Sequence, residues 1–189
     1  IWYEAGQYEL LTDFPLHLDI ELSGVCNLRC DLCFQNGLIE EELGFMSFGL
    51  FKEIIDEGKE NGLCAVKLQV RGESFLHQRL FECIRYAKDA GLLDIQITTN
   101  GTILDDKRIQ SIFESGLDGI IFSVDSQHVD SYKEKYKVQS FTPIEQAIKD
   151  FLNLRQKMGR SRPWVRVQAS NWQNGDDNIS NAENELKKK

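Results

Sequence analysis

Leu16-His17-Leu18-Asp19-Ile20-Glu21-Leu22-Ser23-Gly24-Val25-Cys26-Asn27-Leu28-Arg29-Cys30-Asp31-Leu32-Cys33 reads as a strand that runs into a loop of thiols. Its first seven residues alternate apolar and polar without a fault, which is the period of a strand. Cys26, Cys30 and Cys33 follow with the spacing C-x3-C-x2-C. One short loop can therefore point all three at a single centre. Thiolates are soft ligands that suit zinc, copper(I) or iron–sulfur clusters. A closed zinc site takes four ligands, and no further cysteine or histidine follows at finger spacing. A four-iron cluster held by three cysteines keeps one iron unligated by protein, the open position that a reactive cluster needs. A zinc knuckle that borrows a distant ligand is the alternative. A disulfide is disfavoured, because three clustered thiols cannot all pair.

Beyond this loop the chain alternates helix and strand. Ser47 is placed to cap a helix ending near Asn61-Gly62, with Leu50, Phe51, Ile54 and Ile55 on one face. Strands are expected over Ala65–Val70, Asp94–Thr99, Gly119–Val124 and Trp164–Ala169. Helices are expected between them, from about Gln78 to Ala90 and from about Asp105 to Ser115, with Gly91 and Gly116 as their stops. The helix from Pro143 to Met158 carries a T-x-x-E capping box, Thr142 to Glu145. A short lysine-rich helix or turn is expected over 129–137, and residues 35–46 read as a mobile loop. This alternation implies a parallel sheet with helical crossovers. A complete eightfold barrel takes about 250 residues. The expectation is therefore α/β, a partial, open TIM-type barrel over residues 16–169. Residues 1–15 are a lead-in packed on it through aromatic and leucine side chains, and 170–189 are a polar tail read as disordered. The start at Ile1 and the end in Lys187-Lys188-Lys189 read as a truncated chain.

Composition narrows the setting. The 189 residues suffice for one domain with a core, and the formal charge of −8 disfavours nucleic acid and anionic membrane as partners. No apolar run approaches the roughly 20 residues of a membrane span, and no signal segment opens the chain. Five cysteines, three of them clustered, do not form a secreted disulfide framework, which points to a reducing cytoplasm. Cys64 and Cys83 flank apolar residues and read as structural thiols. His77 and His128 are proton-transfer candidates, with turn histidines as the plain alternative.

The thiol spacing, just after the first strand, resembles the signature of the radical S-adenosylmethionine (radical SAM) superfamily. The residue before the last cysteine, often aromatic there and packed on the adenine, is Leu32; Phe34 follows one residue on. Arg71-Gly72-Glu73-Ser74, after the second strand, resembles the Gly-Gly-Glu-Pro motif, whose backbone groups bind the methionine amino group. Gly72 and Glu73 match, while Arg71 and Ser74 depart. Thr98-Thr99-Asn100-Gly101 resembles the T-N-G segment. Ser123-Val124-Asp125-Ser126 resembles the S-x-D-G segment that contacts ribose and methionine carboxylate, with Ser126 in place of glycine. Lys135 or Lys137 is a candidate cation for that carboxylate, and surface lysines are the alternative.

The resemblance implies an enzyme. Cys26, Cys30 and Cys33 would ligate a [4Fe–4S] cluster, whose open iron would chelate the amino and carboxylate groups of S-adenosylmethionine. Gly72, Glu73, Asn100, Ser123, Asp125 and Leu32 would line the cofactor site. Reductive cleavage would yield a 5′-deoxyadenosyl radical that takes hydrogen from a polar substrate, a peptide, sugar or other small molecule. Flavodoxin or ferredoxin would supply the electron. The wording of the first and fourth strands resembles the subgroup with a C-terminal SPASM domain, but no cysteine follows Cys83 to build that domain's clusters. Two other readings stay open. One is a glycyl-radical activase acting on a partner protein, and the other is a non-catalytic zinc or iron–sulfur interaction module. Finally, the strands alternate rather than run apolar. The polar residues His17, Asp19, Glu21, Lys67, Gln69, Arg71, Gln96, Thr98, Arg166 and Gln168 are expected to line a wet barrel interior that binds a polar substrate.

Overall fold

Five strands pair in parallel, each with the next in the chain, to give the order β1-β2-β3-β4-β5. They are β1 (His17–Asp19), β2 (Ala65–Lys67), β3 (Asp94–Thr99), β4 (Gly119–Ser123) and β5 (Trp164–Gln168). The computed structural model describes residues 13–30, 33, 35, 43–124 and 142–168. The expectations for the lead-in up to residue 12, the 129–137 helix and the 170–189 tail lie outside the described residues. β1 and β2 are shorter than the alternating pattern predicts, because their backbone groups find other partners. Met46 donates its N–H to the Leu22 carbonyl (2.9 Å), and Gly24 donates to Gly44 (2.8 Å). The Leu68 carbonyl accepts the Ser74 hydroxyl, and the Arg71 N–H goes to the Glu21 carboxylate. Residues 43–46, part of the predicted mobile loop, are thus tied to the end of the first strand, with Ser23 and Phe45 forming an antiparallel bridge.

A helix fills every crossover: α1 (Phe48–Glu60), α2 (Leu80–Asp89), α3 (Asp106–Ser115) and α4 (Thr142–Lys157). The start of α1 follows from Ser47, whose hydroxyl accepts the Leu50 N–H at 3.2 Å. Asp105 caps α3 in the same way, accepting from the Arg108 N–H at 2.7 Å. Gly116 ends α3 at φ 86°, a left-handed position that costs glycine little. α2 begins at Leu80, two residues later than predicted, and a short 3-10 turn over Ser74–Leu76 precedes it. The side chains of Thr142 and Pro143, and hence the predicted capping box, lie outside the described residues.

The helices bury their apolar faces on one side of the sheet. Val66, Leu68, Ile95, Ile97, Ile120 and Phe122 are fully buried there, in a single core with Phe51, Ile55, Ile84 and Ile112. Phe151 of α4 stacks on Phe113 of α3 with centroids 4.7 Å apart. The other side is the inner face of the partial barrel. The register sets Asp19, Lys67, Gln96, Gly119 and Trp164 in one row across it. The Lys67 ammonium meets the Asp19 carboxylate at 2.9 Å. This face is not polar throughout. A β carbon at Gly119 would lie 2.2 Å from two atoms of the Trp164 ring, so the indole lies against bare backbone. Ile121, 8% exposed, shares this face one step further along. Among the described residues β5 is one edge of the sheet: Arg166 is exposed, and on its other side Val167 is 44% exposed. At the amino end of the strands, the buried Asp118 carboxylate gathers Lys88 (2.6 Å), Arg162 (2.8 Å) and the Ile95 N–H (3.0 Å). The sequence reading did not single out Asp118.

Candidate functional site

The carboxyl ends of β1 to β4 surround a pocket of about 130 Å³. Cys26, Leu28, Cys30 and Cys33 form one wall, with Gln69, Arg71, Gly72, Glu73, Thr98, Thr99, Asn100 and Ser123 around them. Four loops far apart in sequence thus bring the predicted cysteines, Gly72, Glu73, Asn100 and Ser123 together. Leu32, Phe34, Asp125, His128, Lys135 and Lys137 lie outside the described residues.

The thiol loop and the Gly-Glu loop touch backbone to backbone. A β carbon at residue 72 would sit 1.9 Å from the Ser23 carbonyl oxygen and 2.7 Å from that of Val25. Only glycine admits this approach. The next residue completes the seam, with the Glu73 N–H donating to the Val25 carbonyl at 2.9 Å. The two departures from the expected motif each have a local use. Arg71 donates its backbone N–H (2.8 Å) and its Nε–H (3.1 Å) to Glu21 Oε1. Burial raises the Glu21 carboxyl, but the bonds and charge from Arg71 outweigh it and hold the group below the usual carboxylate range. Ser74, in place of proline, sends its hydroxyl to the Leu68 carbonyl.

Glu73 is the buried centre of the arrangement, 2% exposed. Its carboxylate accepts the Asn100 N–H (2.9 Å), the Thr99 hydroxyl (3.0 and 3.1 Å) and the Phe75 N–H (3.1 Å). Burial pushes its pKa up, against the three donors that pull it down. The side chain therefore ties the loop after β2 to the end of β3. Thr99 was quoted within the T-N-G segment but not singled out as a site residue. Its signal was a hydroxyl at a position that alternation assigns to the buried face.

The three cysteines are partly buried. Cys26 Sγ accepts the Leu28 N–H (3.4 Å), Cys33 Sγ accepts the Gln35 N–H (3.5 Å), and the Cys33 N–H reaches the Cys30 carbonyl (2.9 Å). Burial pushes the Cys26 thiol up, and the nearby Glu73 carboxylate adds to it. A bound cation offsets such a penalty by deprotonating its thiol ligands outright. Among the described residues, no three His, Cys, Asp or Glu side chains close tightly enough to hold a single metal ion. The thiols share the wall of the open pocket. Three soft ligands around an open pocket fit an iron–sulfur cluster with an accessible iron. The remaining cysteines stand apart. Cys83 is buried, its thiol pushed up to about 12 by burial, and Cys64 donates to the Gly62 carbonyl at 3.3 Å. His77 does not line the pocket. Its Nε2 meets the Met46 carbonyl (2.9 Å) and its Nδ1 the Arg79 N–H (3.3 Å), so it anchors residues 43–46.

Known proteins resemble this chain in sequence or in fold. The chain is 34% identical over 110 residues to the tungsten-containing aldehyde ferredoxin oxidoreductase cofactor-modifying protein of Pyrococcus furiosus. It is 33% identical over 115 residues to a probable GTP 3′,8-cyclase of Methanococcus maripaludis. The matches take in 58% and 61% of this chain but only 30% and 38% of those proteins. Among solved structures, Streptococcus suis SuiB bound to S-adenosylmethionine superposes with a TM-score of 0.71 at 18% identity, over 96% of this chain and 40% of that one. BtrN in complex with AdoMet and 2-DOIA gives 0.58 at 17% identity, over 86% of this chain and 58% of that one. Among the described residues, no helix is long and apolar enough to cross a membrane. Residues 20–159 match the radical SAM superfamily, whose cofactors are a [4Fe–4S] cluster and S-adenosylmethionine, and with the partial barrel and the three-thiol pocket this establishes that the chain belongs to that superfamily.

Proposed function

We propose that this chain is the cofactor-binding core of an enzyme that cleaves S-adenosylmethionine reductively and removes hydrogen from a polar substrate. The observation that carries it is the pocket in which Cys26, Cys30 and Cys33 face Gly72, Glu73, Asn100 and Ser123. When bound, the cluster would supply the electron for reductive cleavage of the cofactor's carbon–sulfur bond. The protein's part is ligation, orientation and exclusion of solvent. The thiols hold the cluster. The Gly72-Glu73 backbone, kept in place by the Glu73 cage, offers polar groups to the methionine end, and Ser123, with Asp125 beyond it, to the ribose. Leu32 serves as the apolar contact for the adenine.

Gln69, Arg71 and Thr98 line the same pocket, and Thr98 stands on the inner face of β3. The substrate site continues along that face toward Gln96 and the Asp19–Lys67 pair, where polar groups suit a peptide, sugar or nucleotide better than a lipid. The names of the relatives support this reading: a cyclase of GTP, a cofactor-modifying protein and, among the solved structures, SuiB bound to its precursor peptide SuiA. A flavodoxin- or ferredoxin-type donor and a reducing, cytoplasmic setting complete the proposal.

Anaerobic reconstitution with iron and sulfide tests it. Wild type should take up about four irons and show broad charge-transfer absorption. With a strong reductant it should then convert S-adenosylmethionine to 5′-deoxyadenosine. Alanine at Cys26, Cys30 or Cys33 should abolish both, while Cys64→Ala and Cys83→Ala should keep both. A single colourless zinc per chain would overturn the reading.

A further inference from the structure

Asn100 closes a ring of side chains next to the first cysteine. Its Oδ1 accepts the Thr102 N–H (3.0 Å) and the Thr102 hydroxyl (2.6 Å). Its Nδ2 donates to Asn27 Oδ1 at 3.0 Å and points at Cys26 Sγ at 3.8 Å, within reach of the larger sulfur atom. Asn27 Nδ2 returns to the Thr102 hydroxyl at 2.8 Å. The Thr102 N–H and hydroxyl and both N–H groups of the Asn100 amide each meet an acceptor. The carboxamide therefore has one orientation, because a flip would set its NH2 against the Thr102 N–H and its oxygen against Asn27 Oδ1 and the Cys26 sulfur. The Asn100 backbone is anchored separately, through its N–H to Glu73.

We infer that Asn100 is a positioning residue for the cluster. Its side-chain N–H donates to the Cys26 sulfur, and Asn27 and Thr102 exist in this geometry to hold that donor in place. The inference rests on the proposed cluster at Cys26, Cys30 and Cys33. A hydrogen bond to a ligating sulfur withdraws electron density and stabilises the reduced, more negative state, so it raises the reduction potential. Hydrogen bonds to the sulfurs are among the levers a protein has on a cluster's potential, besides cluster type, net charge and exposure. The ring also links the thiol loop to the turn after β3, so the group that tunes the ligand is supported by the sheet.

The test is an electron-paramagnetic-resonance redox titration of the reconstituted full chain. Asn100→Leu removes the donor at nearly constant volume. It should leave iron content unchanged and shift the midpoint potential to more negative values. Thr102→Val removes the hydroxyl from the ring but keeps the backbone N–H on Asn100 Oδ1. It should give a smaller shift of the same sign, and Thr102→Ser, which restores the hydroxyl, should return the wild-type potential. An unchanged potential in Thr102→Val and in an iron-replete Asn100→Leu overturns the inference while leaving the cluster in place. If Asn100→Leu does not hold iron, Thr102→Val against Thr102→Ser decides. A wild type that assembles no cluster overturns the parent reading, and this one with it.

Discussion

Glu73 joins the two halves of the pocket through a carboxylate that three donors share. Glu73→Ala would leave the Asn100 N–H, the Thr99 hydroxyl and the Phe75 N–H buried without an acceptor. Stranding buried donors costs about 1–3 kcal/mol each before relaxation, so a loss of about 3 kcal/mol overall is expected in urea denaturation. Glu73→Gln keeps one acceptor oxygen and should cost roughly half as much. The variants differ in pH dependence too. Burial raises the Glu73 pKa above that of an unfolded chain, so the folded state binds the proton more tightly. Its contribution to stability is most favourable below the ordinary carboxylate range and is lost as pH rises through the raised value. Wild-type stability relative to Glu73→Gln should therefore fall as pH rises through that window. A flat difference would mean that the cage does not perturb the group. Arg71 and Ser74 carry the same lesson: a motif's letters can change when the new side chain finds a partner, here Glu21 and the Leu68 carbonyl.

At the scale of elements, boundaries followed chemistry that is local in sequence. Ser47 and Asp105 each precede a helix and each accept a first-turn N–H. Ser47→Ala should cost about 1 kcal/mol in thermal or urea unfolding, with Ser47→Asp close to wild type. A null effect of Ser47→Ala would mean that residues 43–46 hold the start of α1 by themselves. Where partners came from far along the chain, the pattern overreached. β1 and β2 stop at Asp19 and Lys67 because the backbone beyond them bonds to residues 43–46, to Ser74 and to Glu21, none of which alternation can signal.

For the molecule as a whole, one face of the sheet is apolar under the helices, and the other mixes Lys67, Gln96 and Thr98 with Ile121 and Trp164. Packed eightfold barrels fill their interior with branched side chains; here Gln96, Thr98 and Lys67 take that side. Ile97 and Gln96 are neighbours on β3 that face opposite ways. Ile97→Ala, in the fully buried layer, should cost about 3 kcal/mol, whereas Gln96→Ala should cost less than about 1 kcal/mol. Equal losses would mean a packed interior, and the polar-substrate proposal would lose its basis.

The sequence by itself determined the α/β alternation, the two faces of each strand, the Ser47 helix cap and the thiol loop, because each is set by periodicity or by groups a few residues apart. Only the tertiary structure decided how the site is held. The approach of Gly72 to Ser23, the Glu73 cage and the Asn27–Asn100–Thr102 ring join residues 26 to 75 positions apart. The Trp164 indole lies on the inner face for the same reason: Gly119 leaves the gap it fills, and the two meet only when β4 and β5 pair. Spacing along a chain carries no record of such contacts, since they form only when the loops at the strand ends converge.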